Sequence, residues 1–470
     1  MAQDNEALDI DLYQARMLIA FYRVGMKDVQ GTMEAFVRKL PSNRRFLVVC
    51  GVERILEYLN NLRITDDDIS VFKEVLPEIK FDDDLCSYLK NIDFAKELTV
   101  RAMPEGQIAF ANEPLVSISG PVGVAQYVEK KVLSILNHDV RIASKAARVF
   151  IAANGKPLAE FGGRRGGDKM SAEAGRAAFI GGFNSTSNVL AFKKYGIPCS
   201  GTMGHVWVMA HVGEDGEERA YKNWSTLFEK SIYLPDTYNT INGCEKITKL
   251  CRGRIDSIRL DSGNLAEDSF NVKRLLNNSD NYATKIGATN DLNEYKIKDL
   301  LSAGCPFDWF GVGTEVVATP DSPTCNFIYK LVHVDDKVRG SHLVAKLAAG
   351  GKGTLPGAKQ VWRGYDERKG LYTHDVLSLN VEYDSDTSMH KMGFLPRLAA
   401  QNWSPNRNAA ERAQKLFINS LRIMPPYLKI ISEHDDSSMQ FPVELSPSLQ
   451  QELNDFKNRN LHKLKLSGMP

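Results

Sequence analysis

Between residues 161 and 205 the chain reads FGGRRGGDKMSAEAGRAAFIGGFNSTSNVLAFKKYGIPCSGTMGH, which concentrates side chains able to do chemistry. Arg164 and Arg165 sit among glycines, so two guanidinium forks and bare backbone can approach one multiply charged anion such as a pyrophosphate. Adjacent arginines also serve as surface salt-bridge formers, but the flanking glycines favour the anion. His205 follows Gly204 and precedes the apolar run Val206-Trp-Val-Met209, where an imidazole can act as acid, base or nucleophile. Arg259-Leu-Asp-Ser-Gly263 sets a guanidinium, Asp261 and Ser262 at one strand end, able to serve sugar hydroxyls or a metal-bound anion. The turns Gly287-Ala288-Thr289 and Gly311-Val312-Gly313-Thr314 expose backbone N–H groups that suit a phosphate, although a lone glycine pair also makes an ordinary tight turn. Together these residues imply an enzyme acting on a phosphorylated substrate.

These groups need a scaffold, and the pattern supplies one. Residues 9–24 and 51–62 read as amphipathic helices, 31–37 and 98–120 as strands, and Thr65-Asp-Asp-Asp68 as a helix cap. From about residue 121 the texture changes. Two helical stretches (122–136 and 142–154) precede short apolar segments alternating with helices: 157–162, 197–202, 257–263, 282–289, 308–314 and 327–334. Repeated strand–loop–helix units imply parallel strands with helices outside. Five of these segments end in glycine-rich or polar loops, as expected where a β/α barrel carries its active site. Residues 350–360 form a Gly/Lys/Pro-rich loop leading into a strand at 361–366, and helices are expected near 408–421 and 447–463.

The bulk properties narrow the function. With 59 Lys and Arg against 58 Asp and Glu, the net charge of +1 gives no support for a nucleic-acid or membrane-surface partner. At 470 residues, two or three domains are expected. The seven cysteines are scattered without a CxxC pair, which argues against a structural zinc or disulfide framework and for a reducing, cytoplasmic setting. The acidic N-terminus does not read as a secretory signal, and no apolar run is long enough to span a bilayer.

Asp11-Leu-Tyr-Gln14, Pro104-Glu-Gly106, Asn112-Glu-Pro114, Lys145-Ala-Ala-Arg148 and Glu160-Phe-Gly-Gly-Arg-Arg165 open a longer series. Gly181-Gly-Phe-Asn-Ser-Thr-Ser-Asn-Val189, Gly201-Thr202, His205, Arg259-Leu-Asp-Ser-Gly263, Gly311-Val-Gly-Thr314, Tyr329-Lys-Leu331 and Pro356-Gly-Ala-Lys359 continue it. In order and spacing the series resembles the nicotinate phosphoribosyltransferases, type II phosphoribosyltransferases of NAD salvage. The resemblance implies an α/β fold: an irregular β/α barrel plus an N-terminal α+β domain completed by C-terminal segments. The corresponding divisions are residues 1–125, 126–340 and 341–470. It implies a homodimer with shared active sites, joining a pyridine base to phosphoribosyl pyrophosphate and releasing pyrophosphate. Mg2+ is the expected metal, with ligands left open, and ATP a possible co-substrate acting through a phosphorylated His205. By the same resemblance His205, Arg259 and Asp261 are the catalytic candidates. Tyr13 (from the other subunit), Phe161, Arg164, Arg165, Ser187, Ser262 and Asn264 would bind substrate. Gly287, Ala288, Gly311, Gly313 and Thr314 would hold the 5′-phosphate.

The chain departs from the family at several points. Asn264 stands where nicotinate-type members carry Asp, and the nicotinamide-using relatives carry Asn there. Asn184 and Asn239 also replace family aspartates, and Val206 replaces a serine beside His205. An Asp-to-Asn change removes a charge and adds a donor. Nicotinate is therefore the family default, with nicotinamide as a competitor and a non-catalytic mononucleotide-binding relative as a third reading.

Overall fold

The computed structural model describes residues 6–167, 169–347, 352–380, 389–390, 397–398, 404, 406–432 and 439–460. It is a mixed α/β protein whose apolar residues form two cores, one under an antiparallel sheet and one inside a curled parallel sheet. The helix Glu129–Ala152 serves both: Val132, Leu136 and Val140 face the first core, Ile142, Ala146 and Val149 the second. The break expected between 136 and 142 is absent: the helix continues through it, and the chain divides instead at Val128, after the short helix Val122–Tyr127.

The N-terminal region starts with the helix Leu12–Arg23, opened by Gln14, whose side chain accepts the Asp11 N–H at 2.8 Å. The cap at Thr65 forms as expected: its hydroxyl accepts the Asp68 N–H at 3.3 Å, and the Asp68 carboxylate accepts the Thr65 N–H at 2.8 Å. The strand Gln30–Phe36 lies between Val116–Pro121 and Ile328–Asp336, antiparallel to both. Apolar content had set residues 327–334 among the parallel strands. Instead the chain leaves the parallel sheet after Val312 and returns to the N-terminal sheet, a non-local pairing that a local pattern does not encode.

The parallel sheet runs Ser185–Thr186, Leu158–Glu160, Trp309–Val312, Lys285–Ala288, Ile255–Leu260, Ser231–Tyr233. The last of these strands in sequence pairs with the first, so the sheet curls into an incomplete barrel. Beyond Ser185–Thr186 it gains, among the described residues, one bridge, Thr186 to Cys199. Pro198 has no N–H to give, which limits the expected strand at 197–202 to that contact. Unforeseen elements fill the gap: the helices His205–Met209 and Gly216–Leu227 and the short strand Ser231–Tyr233.

The C-terminal hairpin Lys359–Asp366 and Leu371–Leu379 docks on the N-terminal region through buried charges. Lys359 pairs with Glu34 at 2.7 Å, and Arg363 pairs with Asp375 at 2.6 Å beneath the Phe110 ring. The expected tail helices appear as Ala409–Ile423 and Pro447–Arg459; positions 461–463 of the second lie outside the described residues.

Candidate active site

The C-terminal ends of the parallel strands converge on Arg259. Its guanidinium is fixed in three directions: Nε donates to Thr289 Oγ1 at 2.7 Å, Nη1 to Thr202 Oγ1 at 2.8 Å and Nη2 to Asp261 Oδ1 at 2.6 Å. Thr289 in turn donates its hydroxyl to Asp261 Oδ1. Arg259 is in the strand Ile255–Leu260 and Asp261 directly follows its end, two residues on, so both side chains point to the same side. The guanidinium also rests 5.7 Å from the centre of the Phe161 ring, a cation–π approach from the neighbouring wall of the barrel. The bond to Thr202 crosses the open seam of the sheet.

His205 is the first residue of its short helix, with Nε2 3.6 Å from Asp261 Oδ2 and Nδ1 3.1 Å from the Thr237 hydroxyl. Asp236 receives the Asp261 N–H at 2.8 Å and the Ser262 hydroxyl at 2.7 Å through Oδ2. Its other oxygen, Oδ1, is buried with no hydrogen-bond partner. Sequence reasoning misses Asp236 and Thr237, and it places Thr202 and Thr289 at the rim without this role. The signal available was Pro235-Asp-Thr237 directly after the apolar triplet Ile232-Tyr-Leu234, a strand end too short to register by periodicity.

On the opposite wall Glu160 is buried. It accepts the Thr186 hydroxyl at 2.6 Å and the Gly162 N–H, and burial still pushes its carboxyl up. Ser187 is exposed at the next strand end and held by its N–H to Glu160 O at 3.0 Å. Arg164 and Arg165 are exposed on the single turn Gly163–Arg165, without an ion-pair partner among the described residues. That turn is seated on the helix Thr314–Ala318: a Cβ at Gly162 would lie 2.6 Å from Val317.

The glycines of the phosphate candidates have packing reasons. A Cβ at Gly287 would overlap the Trp309 indole, and one at Gly311 would lie 2.6 Å from Thr289 and 2.7 Å from the Phe161 ring. Gly287 and Gly311 therefore make room for Trp309 and Phe161, and Ala288 is buried in the strand beside Gly287. Gly313 and Thr314 begin the helix Thr314–Ala318 at the rim. A cavity of about 340 Å³, within the size range of small-molecule sites, runs from Phe161, Ser200 and Gly201 toward the strand starts, where Pro157, Asp256, Lys285 and Asp308 line it.

Other candidates stand apart. Tyr13 is exposed in the N-terminal region and donates to Glu129 at 2.9 Å; partial desolvation of the hydroxyl, and then that carboxylate, raise it above its ordinary range. Asn264 is the exposed N-cap of the helix Leu265–Asn278, and Asn239 caps Thr240–Leu250. Asn184 accepts the Leu158 N–H at 2.8 Å. All three departures from acidic residues therefore have structural duties. Among the described residues no group of three or more His, Cys, Asp or Glu is placed to hold a metal alone.

The family model for the nicotinate phosphoribosyltransferase N-terminal domain matches residues 8–137, and that for the nicotinate phosphoribosyltransferase family matches 157–340. A nicotinate phosphoribosyltransferase of Mycobacterium tuberculosis is 33% identical over 454 residues, covering 95% of this chain and 93% of that protein. Its counterpart in Bacillus subtilis is 33% identical over 396 residues, covering 83% and 79%. The crystal structure of human nicotinic acid phosphoribosyltransferase aligns over 95% of this chain and 99% of that one with a TM-score of 0.78. At 24% identity, that likeness speaks to the fold.

Proposed function

The chain belongs to the nicotinate phosphoribosyltransferase family, and from that premise we propose that it joins nicotinate to phosphoribosyl pyrophosphate in NAD salvage. The products are nicotinate mononucleotide and pyrophosphate. The ring nitrogen attacks the anomeric carbon; the carbon–nitrogen bond forms as the carbon–oxygen bond to pyrophosphate breaks, and the leaving group takes the bonding pair. Positive charge grows on the sugar and negative charge on the departing oxygen.

One observation carries this reading: a guanidinium locked by three bonds stands directly beside a carboxylate at the barrel mouth. Fixed charges of opposite sign match the charge separation of the displacement and need no reorganisation as it proceeds. Arg259 faces the base and the leaving group, and Asp261 the sugar. Ser262 serves ribose hydroxyls, Phe161 covers the pyridine ring, and Ser187 borders the pocket. Arg164 and Arg165 close on the pyrophosphate from the rim, while Gly313 and Thr314 offer N–H groups to the 5′-phosphate.

A divalent metal fits this site. Asp236 Oδ1 is a buried oxygen without a partner next to Asp261, and Mg2+ takes one or two carboxylates together with substrate phosphates and waters. Asp236 and Asp261 would hold it, and it would neutralise charge on the leaving diphosphate. His205, within reach of Asp261, is the proposed acceptor of a phosphoryl group from ATP.

Exposed apolar residues favour a second copy of the chain. Leu12, Tyr13 and Met17 share one helix; Val189, Phe192, Val206 and Met209 flank the rim. A dimer that lays the first group on the partner's second would bring a tyrosine to each base pocket. No described helix is long and apolar enough to cross a membrane, and the cytoplasm is the proposed location.

The test offers nicotinate and nicotinamide together with phosphoribosyl pyrophosphate and measures both mononucleotides. Nicotinate mononucleotide should dominate, because the asparagines that favoured the amide cap helices or tie a strand. Dominant nicotinamide mononucleotide would overturn the choice of base, and no product from either would overturn the enzyme reading.

A further inference from the structure

The motif Lys145-Ala-Ala-Arg148 lies on the inner face of the helix Glu129–Ala152 and carries two charges into the interior, one of them beside the rim helix Thr314–Ala318. Lys145 is fully buried, its Nζ 2.7 Å from Glu294, 3.3 Å from Asp321 and 3.4 Å from Glu315. Arg148 pairs with the same Glu294 at 2.7 Å and donates to the Tyr295 hydroxyl at 2.9 Å. Arg44, from the N-terminal region, reaches Asp321 at 2.7 Å. Three cations thus face three carboxylates. Such a cluster is a weak source of stability, since apolar side chains of the same volume often do as well. Its value lies in what it holds in place.

It holds one short helix. Glu315 is the second residue of Thr314–Ala318, and Asp321 closes the loop after it. Arg141 adds bonds to Ala318 O and Thr319 Oγ1, both at 2.8 Å. The start of this helix is the Gly313–Thr314 pair. Its flank, Val317, lies directly under the turn bearing Arg164 and Arg165: a Cβ at Gly166 would sit 3.1 Å from it. Both anion-facing parts of the rim therefore rest on one element, and Lys145 ties that element to the long central helix.

The geometry points to Lys145 as a positioning residue for phosphoribosyl pyrophosphate. By clamping Glu315 and Asp321 it sets the height of the helix Thr314–Ala318, and through it the spacing between the phosphate turn and the arginine turn. This inference rests on the reading of the rim as the phosphoribosyl pyrophosphate site. Arg259 stands on the strand Ile255–Leu260, with Lys285–Ala288 between it and Trp309–Val312, and Phe161 is held to Val312 O by its own backbone N–H at 3.0 Å, so loosening the clamp should weaken phosphoribosyl pyrophosphate far more than the base.

Steady-state kinetics of Glu315→Gln, Glu315→Asp and Lys145→Met test it. Glu315→Gln should raise KM for phosphoribosyl pyrophosphate about ten-fold and change KM for nicotinate less than about two-fold. Glu315→Asp, which keeps the charge, should recover most of that loss, and Lys145→Met should exceed it. KM for phosphoribosyl pyrophosphate within two-fold of wild type in Glu315→Gln, or both KM values rising in step, would overturn the assignment. If Lys145→Met does not fold, Glu315→Gln decides alone, because it leaves the Lys145–Glu294 pair intact. If the wild-type protein makes no mononucleotide, the functional reading has failed separately, and calorimetric titration with inorganic pyrophosphate then decides the positioning role. Weaker binding by Glu315→Gln supports it; equal binding, or none by either protein, overturns it.

Discussion

Replacing Arg259 by lysine keeps the positive charge and removes the fork. The guanidinium meets Thr289, Thr202 and Asp261 along three divergent directions at 2.6–2.8 Å. An ammonium on a flexible stem can keep the Asp261 contact but cannot span both threonines. Two bonds to a charged donor are lost, each worth about 1.5 kcal/mol or more. The fixed placement of charge opposite the leaving group goes with them. At 1.36 kcal/mol per decade, about 3 kcal/mol corresponds to a fall on the order of a hundred-fold in kcat/KM. The same lost bonds belong to the folded state and Arg259 is only 18% exposed, so fold stability should also fall, by up to about 3 kcal/mol, which the unfolding curve measures. The assay is initial-rate mononucleotide formation with each substrate varied, alongside a thermal unfolding curve. Thr202→Val, which removes one acceptor across the seam, should cost about ten-fold on the same reasoning. A kcat/KM for Arg259→Lys within three-fold of wild type, with unchanged unfolding, would refute the idea that the locked guanidinium is the main electrostatic device.

Further expectations follow from single contacts. His205→Ala should abolish ATP hydrolysis coupled to synthesis while leaving some ATP-independent product; intact hydrolysis in that variant removes the proposed role of His205. Asn264→Ala should lower stability by about 1 kcal/mol in a denaturant titration and Asn264→Asp by much less, since both native and acidic residues cap a helix; equal losses would contradict the capping role. Burial alone would raise the Asp321 carboxyl, but the Arg44 bond and charge, with Lys145, outweigh it and hold it down at about 2. Because the folded value lies below the unfolded one, this stabilisation is present above about pH 4 and is lost as pH falls toward 2; Asp321→Asn should flatten that part of the stability profile, a difference on the order of 2 kcal/mol. Gly287→Ala must displace the Trp309 indole and should cost about 1–3 kcal/mol, read from unfolding curves.

Four parallel strands, Leu158–Glu160, Ile255–Leu260, Lys285–Ala288 and Trp309–Val312, were legible as apolar segments ending in glycine or a small polar residue, whereas 197–202, with the same ending, adds one bridge and no strand. Arg259, Asp261, Phe161 and His205, widely separated in sequence, do meet at one mouth. The legible part was local: strand ends, caps such as Thr65, and amphipathic helices. What escaped depends on distant pairing or on very short elements. Residues 327–334 carry the same apolar signal whether they join a parallel or an antiparallel sheet, and only their partner Gln30–Phe36 decides. Asp236 and Thr237 follow a strand of three residues, too short to show a period. Glycines near a presumed phosphate looked like nests, whereas Gly287 and Gly311 yield space to bulky neighbours that a sequence cannot bring together. Asn264 looked like a selector of the base because its type differs from the family pattern, and its place at a helix start gives it another duty.

The most direct measurement of the central claim is the stoichiometry of products made by the purified wild-type protein from nicotinate and phosphoribosyl pyrophosphate. The account predicts one nicotinate mononucleotide for each pyrophosphate released, with no pyrophosphate formed when the base is omitted. Pyrophosphate release that is indifferent to the base would mean that water, not the pyridine nitrogen, takes the sugar, and would contradict it.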